Sequence, residues 1–287
     1  MNFTTTLLGT LLAFTKATYS ESDLQVSLHL SQLAYCGMGT YLNLQYTGVL
    51  AGFVATKVLY GGIIDGTEGF VGYLPSSKSI YVVYRGSSSP MDIVTDVGIL
   101  RTGWDSFPEC KGCGVHSGFY GSEKKVLSDV LIEVARLRNL YPTYSVHTTG
   151  HSLGAALALL TQMDLIKAGY QATMINFGQP RVGDKDFATF TRSLTSYSYR
   201  VVHNKDIIPH NPTSDFPISY HHHATEVFQD KNDVVKTCST TNGEDPTCTD
   251  QFGALSGLTL TDHLSYLGVY MGILSGNCNT NNTEFLQ

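Results

Sequence analysis

Thr149-Gly150-His151-Ser152-Leu153-Gly154 sets a serine between two glycines in a G-x-S-x-G frame. The residues before it, Tyr144 to Thr148, read as a strand, and Leu153 to Lys167 read as a helix. That context is what a nucleophilic serine needs. The hydroxyl sits on a sharp strand-to-helix turn, and flanking glycines let backbone segments approach closely. The helix N-terminus beneath it supplies free N–H groups and a positive dipole end, which favour negative charge developing on a substrate. The chemistry such a serine performs is acyl transfer through a covalent intermediate.

A serine hydroxyl is a weak nucleophile until an imidazole takes its proton, and a carboxylate must fix that imidazole's tautomer. In a strand–turn–helix frame of this kind the chain order is serine, then acid, then histidine. Histidines after Ser152 are His203, His210, His221, His222, His223 and His263. His263 lies far downstream in Thr261-Asp262-His263-Leu264-Ser265-Tyr266. Asp206 follows a strand expected over Ser198 to His203 and so falls at its carboxyl edge. On residue pattern alone, Asp262 and Asp184 compete with Asp206 for the role of acid. Two donors must face the oxyanion of the tetrahedral intermediate. The N–H of Leu153 is the first candidate; Ser87, in Tyr84-Arg85-Gly86-Ser87 at the end of an earlier strand, is the second.

The elements that would position these groups alternate along the chain. Leu24 to Ala34 has apolar residues near helical spacing and predicts an opening helix ending at Cys36. Ser79 to Tyr84 is a β-branched and aromatic run, as a buried strand requires. Leu127 to Leu140 places Leu127, Val130, Leu131, Val134 and Leu137 on one helical face. Further strands are expected at Met174 to Phe177 and Ser198 to His203, and a last helix from about His263 to Leu274. Strands alternating with helices mean crossover connections, so the expected class is α/β, with a mostly parallel sheet and helices on both faces. Catalytic groups in such folds gather at the carboxyl ends of the strands.

No repeat, charge block or linker divides the chain, and one catalytic domain over 21–287 is expected. The formal charge of -6 argues against nucleic acid, which calls for a basic face. No apolar run is long enough to span a bilayer. Residues 1–20 carry a short apolar run, Leu7 to Phe14, before small and polar residues, which reads as a signal peptide, although no Lys or Arg precedes the run. Six cysteines admit fifteen pairings. Their even number after an apolar leader fits three disulfides in a secreted, extracellular protein. Cys110-Lys-Gly-Cys113 lies in a Pro/Gly-rich loop and reads as a small structural closure rather than a redox centre. His221, His222 and His223 invite a metal, but neighbours in an extended segment face opposite ways and rarely converge on one ion.

Directly after Ser87, Ser89-Pro90-Met91-Asp92 opens like a capped helix with proline at its first position. Met91 sits in that opening turn, while Ile93, Val94 and Val97 fall on one face, opposite Asp92, Thr95 and Asp96. A short amphipathic helix beside an active site is suited to act as a lid that turns its apolar side outward at an oil surface.

The chain resembles the fungal class 3 lipases. The likeness runs in order through Tyr84-Arg85-Gly86-Ser87, Val115-His116-Ser117-Gly118-Phe119 and Thr149 to Gly154. It continues in Phe177-Gly178-Gln179-Pro180-Arg181-Val182-Gly183, Asp206-Ile207-Ile208-Pro209, Tyr220 to Glu226, and Asp262-His263-Leu264-Ser265-Tyr266. The resemblance implies an α/β-hydrolase fold, a Ser152, Asp206, His263 triad, an oxyanion hole at Ser87 and Leu153, and no metal or organic cofactor. It implies disulfides Cys36–Cys278, Cys110–Cys113 and Cys238–Cys248. The frame Tyr220-x-His222-x-x-x-Glu226 then suggests a hydrogen-bonded structural loop. The implied substrate is a lipid ester at an oil–water interface, foremost a triacylglycerol, with no obligate protein partner. Mono- or diacylglycerol lipase, phospholipase A1, and feruloyl or acetyl esterase are alternatives within the class. A catalytically inactive binding protein is the alternative outside it, and it normally lacks a triad member.

Overall fold

A computed structural model describes residues 19–37, 40–42, 44–62, 66–90, 100–253 and 256–275. Its centre is an eight-stranded sheet, numbered here in chain order: β1 (Val54–Tyr60), β2 (Glu68–Leu74), β3 (Ser79–Tyr84), β4 (Ser145–Gly150), β5 (Ala172–Phe177), β6 (Ser198–His203), β7 (Glu226–Gln229) and β8 (Val235–Thr237). Spatial order equals chain order. Pairs from β3 to β7 are parallel, while β1, β2 and β8 join antiparallel at the two edges. The fold is that of an α/β-hydrolase.

Side-chain alternation divides β3 between two cores. Ile80, Val82 and Tyr84 pack on one face; Tyr81 and Val83 pack on the other, and none of the five is exposed. Among the described residues the α-helices are α1 (Glu21–Leu33), α2 (Ser117–Leu140), α3 (Leu153–Lys167) and α4 (Lys185–Leu194). Helix α1 covers one face with Leu24, Val26, Leu28, Leu30 and Leu33. It starts where Ser20 Oγ accepts from the Asp23 N–H at 3.0 Å. Helices α2 to α4 contribute Val130, Val134, Leu157, Leu160 and Phe187 to the core on the other face. Helix α3 is apolar almost all round and accordingly buried on nearly every side. Among the described residues no helix is long and apolar enough to cross a membrane.

The sequence-based strands at Ser79, Met174 and Ser198 and the helix at Leu153 match observed elements within two residues. Helix α2 begins at Ser117, ten residues before its apolar periodicity, because the His116 imidazole accepts from the Phe119 N–H at 3.2 Å. Strand β2 escapes pattern reading because it contains Gly69 and Gly72, normally poor strand residues. A Cβ there would meet the Val83 carbonyl oxygen at 2.2 Å or the Val54 oxygen at 2.6 Å.

The expected last helix from His263 to Leu274 is incorrect. That stretch forms a 3-10 turn, Asp262–Leu264, then a hairpin of Ser265–Tyr266 with Val269–Tyr270, and then a second 3-10 turn, Gly272–Leu274. Leu267 and Gly268 take φ of 51° and 81°, the left-handed pair of a two-residue hairpin turn, and this breaks any helix.

Cys110–Cys113 and Cys238–Cys248 are bonded. Cys36 is also in a disulfide, and Cys278 lies outside the described residues. The three histidines address separate partners. His222 Nε2 donates to Pro209 O at 2.8 Å, and His223 Nε2 pairs with Ser198 Oγ at 3.1 Å. The ring of His221 turns back toward Ser219 O at 3.4 Å.

Between α2 and α3, Glu123 is fully buried, and its Oε2 has no hydrogen-bond partner among the described residues. Burial, reinforced by the Asp164 carboxylate, pushes its pKa up to about 8. The folded protein therefore holds a proton that the unfolded chain releases above its ordinary value. Between those two values folding stability falls as pH rises, and the full cost is present above pH 8. Glu123→Gln removes that dependence. Relative to the parent, the variant should gain about 3–4 kcal/mol of stability between pH 5 and pH 9, read from denaturant midpoints at both values. An equal difference at the two pH values would show that Glu123 is ionised throughout.

Candidate active site

Strands β3 and β4 run parallel, with Tyr84 opposite Gly150, so the residues that follow each strand emerge at the same sheet edge. Ser152 takes φ 59° and ψ −127°, a conformation unfavourable for any residue with a side chain. Its N–H is anchored on Phe177 O at 3.0 Å, which hangs the turn on the neighbouring strand β5. Crowding enforces the flanking glycines. A Cβ on Gly150 would lie 2.5 Å from Gly154 backbone, and one on Gly154 would lie 2.4 Å from Tyr84 O. Gly86 is equally confined: a Cβ there would reach 2.7 Å from His151 O and 3.1 Å from Ser152 Cβ. The segment carrying Ser87 therefore lies directly against the serine turn.

Asp206 and His263 meet although 57 residues separate them. His263 Nδ1 donates to Asp206 Oδ2 at 2.9 Å, and both side chains are wholly buried. A carboxylate accepts only, so Nδ1 carries the hydrogen and Nε2 of the neutral ring holds the lone pair. The Asp206 carboxylate is itself held: Oδ1 accepts the Ile208 N–H at 2.8 Å, and Oδ2 also accepts the Tyr266 hydroxyl. Burial and the adjacent Asp206 charge drive the Tyr266 phenol well above its ordinary pKa, which keeps it a donor. Its rivals are engaged elsewhere. Asp262 Oδ2 accepts from Asn204 Nδ2 and Lys205 N, and Asp184 caps α4 through the Phe187 N–H at 3.0 Å.

His151 ties His263 to the serine turn. Its Nε2 donates to the backbone carbonyl of His263 at 2.8 Å, and its ring lies 4.3 Å from that of His263. With Nε2 protonated, Nδ1 accepts from the Tyr35 hydroxyl at 2.6 Å. Burial, then the neighbouring His263, depresses the His151 pKa well below the ordinary imidazole range, so it stays neutral. Gly178, at φ 58°, leaves room for this cluster; a Cβ there would sit 2.7 Å from Tyr266 Oη and 2.9 Å from the His263 ring. Ser152 Oγ and His263 Nε2 are both buried and have no hydrogen-bond partner among the described residues. These are the two atoms between which a proton would pass, and catalytic contacts of this kind commonly tighten only with substrate.

Helix α3 begins at Leu153, so its N–H is one of the first-turn donors without an acceptor inside the helix. The Ser87 hydroxyl closes a local turn, donating to Ser89 O at 3.2 Å and accepting the Ser89 N–H at 3.1 Å. Pro90 is buried, whereas Met91, Ile93, Val94 and Val97 lie outside the described residues. Tyr35, His151 and Tyr266 received no role in the sequence reading. The signals available were the histidine preceding the serine and the tyrosine three residues after His263.

The family described as Lipase (class 3) matches residues 81–216. A lipase of Rhizomucor miehei is 33% identical over 216 residues, which is 74% of this chain and 58% of that protein. The match thus spans a little over half the length of that curated relative. A secreted mono- and diacylglycerol lipase of Fusarium solani is 29% identical over 225 residues, covering 76% of this chain and 66% of that one. The solved Rhizomucor miehei triacylglyceride lipase superposes with a TM-score of 0.79 at 30% identity, over 90% of this chain and 96% of that chain. With its serine turn, its buried aspartate–histidine pair and its fold, this chain belongs to the class 3 lipase family.

Proposed function

We propose that the protein is a secreted serine hydrolase of carboxylic esters that acts foremost on triacylglycerols at an oil–water interface. The observation that carries this reading is the His263 ring, held by Asp206 through Nδ1, with Nε2 unpartnered among the described residues, against the residue next to Ser152. In the forward step His263 Nε2 takes the Ser152 proton as Oγ attacks the ester carbonyl. The oxyanion faces the Leu153 N–H and Ser87. His263 then protonates the departing glyceride alkoxide, leaving an acyl-enzyme on Ser152. Water, deprotonated by His263, releases the fatty acid and restores the serine.

Ser152, Asp206 and His263 are wholly buried, so a lipid reaches the serine only after a covering segment moves. The amphipathic stretch Pro90 to Val97 is the segment whose sequence fits that task. Secretion rests on the apolar leader in residues 1–20 and the disulfide-bonded cysteines. A partial-glyceride lipase is the second reading, favoured by the likeness to the Fusarium solani enzyme.

Purified protein assayed on triolein, diolein, a phosphatidylcholine and methyl ferulate separates these readings. Triolein turnover should exceed that of the phospholipid and the ferulate by about tenfold or more. Hydrolysis of diolein without triolein would select the partial-glyceride reading. Hydrolysis of methyl ferulate alone would overturn both.

A further inference from the structure

The chain carries a net charge of -6, and after Arg200 it contains three cationic residues: Lys205, Lys231 and Lys236. All three line one groove of ≈ 770 Å³ at the β7–β8 edge of the sheet. The apolar part of that groove is made by Phe228, Phe252 and the exposed Val234. The Lys205 ammonium stands 5.7 Å from the centre of the Phe252 ring, and Lys236 stands 5.7 Å from that of Phe228. Among the described residues none of the three lysines forms an ion pair.

Two aspartates, Asp230 and Asp262, also line the groove; three ammonium groups against two carboxylates leave the lining one positive charge in excess, and among the described residues neither aspartate forms an ion pair with a lysine. Asp230 Oδ1 accepts the N–H groups of Asn232 and Val234 at 2.8 and 2.9 Å. Asp262 Oδ2 accepts Asn204 Nδ2 and the Lys205 N–H at 2.9 and 3.0 Å. Lys205 and Lys236 each give one hydrogen to a backbone carbonyl, of Ser256 and Thr247, which leaves two donors on each ammonium. Cations with spare donors over two aromatic faces are complementary to one kind of molecule: an anionic head joined to an apolar chain.

We propose that this groove binds a fatty-acid anion, its carboxylate among the three lysines and its chain along Phe228, Phe252 and Val234. The inference rests on the ester-hydrolase reading in one respect: such an anion is the product that reading releases. The site is separate from the cleft, since Ser152, Asp206 and His263 do not line it. It does abut both loops that carry the acid and the base, through Lys205 beside Asp206 and Asp262 beside His263. Thr259 of the groove bridges to Asp206, the Ile207 N–H meeting Thr259 O at 3.1 Å.

The test is calorimetric titration of the whole protein with decanoate at low salt, after an alkylphosphonate has capped Ser152 and filled the cleft. One molecule should bind, while acetate and decyltrimethylammonium should bind at least about tenfold more weakly. Lys231→Glu combined with Lys236→Glu should weaken decanoate at least about tenfold. Both side chains are exposed, so the fold is not at stake. Val234→Asp, which puts a negative charge on the apolar wall, should have the same effect. Equal binding of decanoate to parent and variants would overturn the proposal. So would equal binding of the cationic amphiphile, or of acetate, or no binding at all. Absence of phosphonate labelling would count against the hydrolase reading alone, because the uncapped protein can be titrated in the same way.

Discussion

Ser152→Ala is expected to lower kcat on a soluble ester by about 10⁶-fold, the scale seen when a triad nucleophile is removed. The thermal midpoint should stay within a few degrees of the parent value. Both halves follow from the geometry. The Ser152 Oγ has no hydrogen-bond partner among the described residues, so its deletion orphans no donor or acceptor. Alanine adopts φ 59° at no greater cost than serine, and the glycines that permit the turn are untouched. A fluorescent phosphonate should label the parent stoichiometrically and leave the variant unlabelled. Turnover within tenfold of the parent, with the fold intact, would mean that another group attacks the ester.

The central strands were legible because they are buried on both faces. Ser79 to Tyr84 is one unbroken β-branched and aromatic run, and all six residues are buried. The serine turn was legible because local sterics dictate its sequence: no residue with a Cβ fits at Gly150 or Gly154. The C-terminal segment was misread because His263-Leu-Ser-Tyr-Leu-Gly-Val-Tyr-Met alternates apolar residues at spacings that suit a helix as well as a hairpin. The decisive feature is Leu267 at positive φ before Gly268, a conformation that leucine rarely takes and that no periodicity announces.

The consequence reaches the site. His263 rides on one 3-10 turn that has few local hydrogen bonds, so it is placed from outside by long-range contacts. His151 takes its carbonyl, and the His203 ring meets the carbonyls of Asp262 and Ser265 at 3.1 and 2.8 Å. Partners more than a hundred residues apart, such as Tyr35 and His151, leave no spacing to detect in one sequence. The same holds for the Tyr266 hydroxyl on Asp206, which exists because Gly178 lacks a side chain. Motifs pointed to Ser152, Asp206 and His263, and the fold brings Asp206 and His263 into contact; the side chains that hold them became visible only with the fold.

Asp206→Asn is the sharper probe of that scaffold, and it should cost about 10⁴-fold in kcat. Oδ1 accepts the Ile208 N–H, while Oδ2 accepts both the His263 Nδ1–H and the Tyr266 hydroxyl. An asparagine has one acceptor oxygen for these three donors. If that oxygen stays on Ile208, the amide NH₂ faces His263 and Tyr266. The imidazole then accepts at Nδ1 and carries its hydrogen on Nε2, the tautomer that cannot take the serine proton. If the oxygen turns to His263, the NH₂ confronts the Ile208 N–H in a dry interior and leaves donors unpaired, at about 1–3 kcal/mol each. The loss should therefore appear in kcat and in the rate of phosphonate labelling, with little change in KM, because the ester contacts neither carboxamide nor carboxylate. A loss below tenfold in a folded variant would remove Asp206 from the machinery. Asp262 could not easily replace it, since its carboxylate is already committed to Asn204 and the Lys205 N–H.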